Sequence, residues 1–185
     1  MRVVLDACVL YPPSLRDLLL TLAALDAFDV RWSEMILEEL RRNVVADNPD
    51  VDPDRFTDHT LAEMRRHFPA AMVSVGLDDI DRLDNDPKDR HVAAAAIVVG
   101  ADAVVTINLK DFRSRVLDEA GIAVLTPGRL VEQILDEAPE LVEHAVRRIA
   151  GRWTNPPRSP AEVVDILAGH PTMATAMDRA RAMLT

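Results

Sequence analysis

Apolar positions fall in two rhythms along this chain. Short runs dominated by apolar residues, RVVL at 2–5, AVVT at 103–106 and IAVL at 122–125, have the length and content of buried strands. Longer stretches between them repeat apolar residues every three or four positions, as helices with one buried side do. Leu15, Leu18, Leu19, Leu22 and Leu25 mark a helix to about Ala27 with Ser14 as its cap. Val30–Trp32 reads as a strand, and Ser33 caps a helix to about Val45. A loop over 48–54 leads through Pro53 into a helix ending near Phe68. Residues 69–75 fit a fraying helix end or a short strand. Asp86 has the position of an N-cap, with Pro87 in the first turn of a helix that stops at Gly100. Asp111 opens a helix to Ala120, and Thr126-Pro127 opens another to Glu137.

Strands alternating with helices predict an α/β fold: a parallel sheet between two helical layers. After Pro139 the alternation stops. Helices over 141–150, 161–168 and 172–184, broken by the proline-rich RWTNPPRSP, have no strand between them. The expected division is a domain over 1–138 and a helical extension over 139–185.

Composition narrows the function. Nearly half of the 185 residues are apolar, enough for a sizeable core, and the formal net charge is −10. That charge disfavours a general nucleic-acid coat or an anionic membrane surface, although a bound cation reverses the sign of a local acidic site. Cys8 is the single cysteine, so neither an internal disulfide nor a cysteine-based zinc cluster can form. The opening MRVVLDAC is too short an apolar run for a signal peptide, and no stretch reaches membrane-spanning length. The expected setting is a reducing cytoplasm.

The candidate chemistry lies in scattered carboxylates. Ligands of open parallel sheets gather beyond the carboxyl ends of the strands. Asp6 ends the first strand, Asn108 and Asp111 follow the strand ending at Thr106, and Asp86 and Asp89 stand at a helix start. In SEMILEELRRN the apolar stripe is Ile36, Leu37, Leu40 and Val44. At about 100° per residue, Glu39 sits roughly 115° from the centre of the stripe and Glu38 roughly 145°. Glu39 is therefore nearer the buried face, and Arg42 points outward. Each acid alone has an ordinary reading as a cap or a surface charge; together they suit a hard cation with oxygen ligands. Cys8 reads as a small buried apolar residue, His91 as a helix-surface histidine and Trp153 as an anchor of the extension.

Four motifs in order, VVLDACVL, ILEEL, DPKDRHVAAAA and VVTINLKDF, resemble those of the PIN-domain nucleases, in particular the VapC-type toxins of bacterial toxin–antitoxin pairs. VLTPGRLVEQIL is similar to the end of that domain, so the resemblance covers about 1–137. It implies a three-layer α/β/α PIN-like fold and a Mg²⁺- or Mn²⁺-dependent endoribonuclease whose products carry a 5′-phosphate and a 3′-hydroxyl. Carried over by position, Asp6, Glu39, Asp89 and Asp111 are the metal-binding and catalytic acids, and Thr106 supports them. Asn108 stands where many relatives have another Asp. Thr106 and Asn108 form the supporting pair, and Arg42, Arg90 and Lys110 are the candidate contacts to RNA. The resemblance also implies an antitoxin partner and a homodimer.

Two other readings compete. One is a PIN-like module without catalysis that binds RNA or protein. The other is a receiver-like phosphoacceptor domain, which would need a Lys after its last strand, where Thr126-Pro127 stands. A dinucleotide-binding role lacks its glycine-rich turn after the first strand.

Overall fold

The computed structural model describes residues 1–48 and 50–184. Position 49 of the expected 48–54 loop and position 185 of the expected extension lie outside them. The chain opens with β1 (Arg2–Leu5), α1 (Ala7–Leu10), α2 (Pro13–Ala24), β2 (Asp29–Ser33) and α3 (Glu34–Asp47). Next come α4 (Pro53–Arg55), a π-helical stretch (Phe56–Leu61) and α5 (Ala62–His67), which together replace the single helix expected to Phe68. A 3₁₀ turn (Pro69–Ala71) then leads into β3 (Met72–Val73), which settles the ambiguous 69–75 segment as a strand. There follow α6 (Leu77–Asp81), α7 (Arg90–Val99), β4 (Ala103–Val105), a 3₁₀ turn (Leu109–Phe112), α8 (Arg115–Glu119) and β5 (Ala123–Leu125). Four helices complete the chain: α9 (Pro127–Glu137), α10 (Pro139–Arg152), α11 (Pro160–Ala168) and α12 (Ala174–Met183).

The five strands form one parallel sheet in the order β3-β2-β1-β4-β5. This is the α/β architecture expected of a PIN-like fold. It differs from the 2-1-3-4-5 order of receiver domains, which removes that alternative. In register, Val3 faces Val30 of β2 on one side and Ala103 of β4 on the other. Val3, Val4, Leu5, Ala103, Val104 and Val105 are all fully buried. A central parallel strand loses water on both faces, which is why these runs are apolar without alternation.

Two compact units divide the chain: Met1–Tyr11 with Asp29–Val124, and Pro12–Phe28 with Leu125–Thr185. The boundary expected at 138/139 falls between α9 and α10, within the second of these. In the first unit, α7 packs against β1, β2 and β4. Its residues His91–Ala96 are all buried, and small side chains let the helix approach the sheet closely. Gly100 ends it in the left-handed conformation (φ 58°), where a Cβ would be strained.

In the second unit, α2 packs on α10 and α11, and α12 on α9 and α11. Ser14 is not the cap of α2, since Pro12 holds that position. Its hydroxyl instead lies 2.7 Å from His170 Nε2. Thr126 caps α9 as expected, accepting from Arg129 N at 3.2 Å. Gly128 follows in the first turn, where a Cβ would stand 1.8 Å from the Thr172 carbonyl oxygen, so only glycine fits. Among the described residues no helix is long and apolar enough to cross a membrane.

Candidate active site

The strand order reverses between β1 and β4, the place where an open α/β sheet leaves a crevice. Asp6 leaves β1 there and Thr106 leaves β4. The Asp6 backbone N–H continues the ladder to Val105 O at 3.1 Å. The Thr106 hydroxyl, fully buried, donates to Asp6 Oδ2 at 2.7 Å and accepts from Asn108 N at 3.0 Å. Thr106 thus bonds to Asp6 directly, whereas Asn108 contributes only its backbone here and its side chain is exposed.

Asp6 stands at the N-cap of α1 and Asp89 at the N-cap of α7, yet neither side chain makes a capping bond. This corrects the expectation for Asp86. It is not the helix cap: its Oδ1 accepts from Lys88 N at 3.0 Å and its carbonyl from Asp89 N at 3.0 Å. Residues 86–89 thus form a turn, and α7 begins three residues later than the proline suggested. The helix over 111–120 is corrected likewise. Ser114, not Asp111, caps α8, accepting from Leu117 N at 3.3 Å, and Asp111 sits half-buried in the preceding 3₁₀ turn.

Electrostatics show that the acids converge. The Asp89 carboxyl is pushed up to about 6, first by burial and then by the charges of Asp6, Asp111, Glu39 and Asp86 in that order. Asp6 is also raised, mainly by burial, against the pull of hydrogen bonds from Cys8 and Thr106, with the charge of Glu39 adding to the rise. Asp6, Asp89, Asp111 and Glu39 therefore share one field, although they lie up to 105 positions apart in sequence. On α3, Glu39 is half-buried, whereas Glu38 is exposed and held by Arg41 through bonds of 2.7 and 2.8 Å. Helix geometry had favoured Glu39 in the same way.

Two residues have larger parts than the sequence suggested. Cys8 is not simply apolar filling. Its thiol donates to Asp6 Oδ2 at 3.0 Å and accepts from Ile107 N at 3.3 Å. Burial and the Asp6 charge push it up to about 12, so it stays a thiol. His91 is buried, not on the helix surface, with Nε2 3.0 Å from Glu39 Oε2. The pair lacks hydrogen-bond geometry, so both atoms are buried without a hydrogen-bond partner, as is Asn85 Oδ1. Placement of Cys8 two residues after Asp6, and of His91 two after Asp89, was the available signal.

The three candidate RNA contacts differ. Arg42 and Lys110 are exposed, while Arg90 is half-buried and spends its Nε–H on Asn85 O at 3.2 Å.

The donor set is four carboxylates with a hydroxyl behind them, which suits a hard divalent ion such as Mg²⁺ or Mn²⁺. The mutual repulsion and the orphaned Glu39 oxygen are what such an ion would relieve. Among the described residues no three His, Cys, Asp or Glu side chains are already drawn together as a coordinating group. The fit is thus one of chemistry and convergence.

Residues 127–181 match the family model of the VapC50 C-terminal domain. The chain is also 33% identical over 90 residues to "Putative ribonuclease VapC50" of Mycobacterium tuberculosis (strain ATCC 25618 / H37Rv). That match covers 49% of this chain and 53% of the other protein, so the chain spans about half the length of the curated relative it matches. No solved structure matches. The C-terminal match and the partial likeness to the VapC50 protein, beside the ordered acid motifs of the α/β unit, support a VapC-type PIN protein.

Proposed function

We propose that this protein is a divalent-metal-dependent endoribonuclease and the toxin of a toxin–antitoxin pair. The observation that carries the reading is the convergence of Asp6, Glu39, Asp89 and Asp111 at the switch between β1 and β4, where burial first, and then the charges of the other acids, push Asp89 up to about 6. Empty of positive charge, such a cluster is costly; a hard cation turns the cost into affinity.

Asp6, Glu39, Asp89 and Asp111 would hold the ion. When bound, Mg²⁺ or Mn²⁺ neutralises phosphate charge and makes water a better nucleophile at neutral pH. Thr106 and Cys8 fix the Asp6 carboxylate through Oδ2, so that its orientation does not change as the substrate arrives. His91 stands against Glu39 Oε2 and limits the swing of that side chain. Arg42, Lys110 and Arg90 supply positive charge for the RNA backbone on a chain that is otherwise acidic. No side chain is needed as a covalent nucleophile. The antitoxin partner, the homodimer and a cytoplasmic setting belong to this same reading, resting on the VapC likeness.

The test is cleavage of a mixed cellular RNA pool by purified protein in Mg²⁺, Mn²⁺ or EDTA, beside Asp6→Asn and Asp89→Asn. Discrete metal-dependent cuts, lost in both variants, support the nuclease. Folded wild-type protein that makes no cut in either metal refutes it and favours the binding module.

A further inference from the structure

Segment 84–90 and segment 108–115 carry Asp89 and Asp111, and their acids repel one another. A set of hydrogen bonds stitches them together. The Asp84 carboxylate accepts from the Ser114 hydroxyl through Oδ1 and from Arg115 N at 3.2 Å through Oδ2. The Asp86 N–H donates to Asp111 O at 3.1 Å. Asn85 holds both turns with one side chain: its Nδ2 donates to Asp86 O and to Asp111 O, each at 3.4 Å. Its own carbonyl accepts from Arg90 Nε at 3.2 Å, which ties the start of α7 to the same knot.

Asn85 is 4% exposed, among the few buried polar residues of the chain. Burying an amide costs free energy unless the group is used. The orientation of the amide is fixed, because a flipped group would turn Oδ1 onto two carbonyl oxygens. As placed, Oδ1 is buried without a partner. A residue kept for packing alone would be apolar here.

We propose that Asn85 and Asp84 are positioning residues that clasp the turn bearing Asp89 to the turn bearing Asp111, holding the two carboxylates at one site against their own repulsion. The inference rests on the metal-nuclease reading given above. Neither residue touches the reacting atoms; both act through the backbone of the acids they place. Partners of this kind typically contribute ten- to a hundredfold to metal affinity.

The test compares wild type with Asp84→Ala, Asp84→Asn, Asn85→Ala and Asn85→Leu in the full chain. Mn²⁺ affinity is read by electron paramagnetic resonance of free Mn²⁺, and melting is read separately in EDTA. Asn85→Leu keeps roughly the volume and loses both donors without adding a charge, so it separates the hydrogen bonds from the packing. The expected result is an Mn²⁺ affinity about tenfold weaker in Asp84→Ala and weaker still in Asn85→Leu, with partial recovery in Asp84→Asn, which keeps the acceptor for Ser114. Val163→Ala, a core truncation in α11, should lower the melting temperature and leave Mn²⁺ affinity unchanged. Where Asn85 variants do not fold, the exposed Asp84 variants decide. Folded Asp84 variants with wild-type Mn²⁺ affinity overturn the clasp while the nuclease stands. Wild-type protein that neither binds Mn²⁺ nor cuts RNA overturns both.

Discussion

Replacing Asp89 with asparagine should stabilise the metal-free protein while removing its activity. The Asp89 carboxyl is raised from an ordinary 3.8 to about 6. Proton affinity is thus more than a hundredfold higher in the folded state, which corresponds to about 3 kcal/mol as an upper bound. Solvent reaches part of this crevice and screens the charges, so about 1–2 kcal/mol is the realistic share. The folded state holds the proton more tightly than the unfolded one. The stability linked to it is therefore complete below pH 3.8 and is lost as pH rises through about 6. Above that, Asp89 is charged and the metal-free fold bears the full repulsion. Asparagine cannot ionise, so Asp89→Asn should melt about 2–8 °C higher than wild type at pH 7.5 in EDTA. Near pH 4 the gain should vanish, because wild-type Asp89 is then protonated. Adding Mg²⁺ should raise the melting temperature of wild type and close the gap. Thermal melts followed by circular dichroism between pH 4 and 8 provide the assay. A variant that melts at or below wild type at pH 7.5, or a gain that is the same at pH 4, would refute the account of Asp89 as a carboxylate strained first by burial and then by its neighbours.

Other substitutions follow from the same geometry. Glu39→Ala should abolish RNA cleavage, while Glu38→Ala, which removes only the exposed pair with Arg41, should leave the rate within about twofold and cost at most about 0.5 kcal/mol of stability by denaturant titration. Thr106→Val removes a hydrogen bond that lowers Asp6; Asp6 then titrates at higher pH, and the acid limb of the cleavage–pH profile should move upward. Gly128→Ala would drive a Cβ into the Thr172 carbonyl oxygen and carbon, 1.8 and 2.8 Å away, which are backbone atoms that cannot step aside; a loss of about 3 kcal/mol or more is expected in urea unfolding.

Much of the frame could be read before any coordinates. β1 and β4 announce themselves because central parallel strands need unbroken apolar runs, and Ser33 and Thr126 cap the helices their positions promised. Glu39 was separable from Glu38 because a helical stripe fixes angles. The misreadings have physical causes. α1 and α6 are four and five residues long, too short to display a period. Pro87 suits a turn as well as a helix start, so Asp86 could not be told from Asp89 as the cap. His91 escaped because α7 is buried almost all round, and a helix without an exposed stripe gives no sign of where a polar side chain faces. Segment 12–28, which groups with 125–185, and the clasp at Asn85 depend on contacts between distant residues that leave no local pattern.

The register of β1 against β4 has a consequence for the making of the protein. Val3, Val4 and Leu5 pair with residues 103–105, a hundred positions later. Chain growth proceeds from the N-terminus, so the crevice has only one wall until β4 has been synthesised and has found its neighbour. Contacts that close such long loops form late in folding. Asp6 and Glu39 are made before Asp89, and Asp111 is the last of the four. A ribosome-bound fragment therefore carries acids without a site. For a metal nuclease of the kind proposed, the topology delays the blade until residues 103–111 have been made.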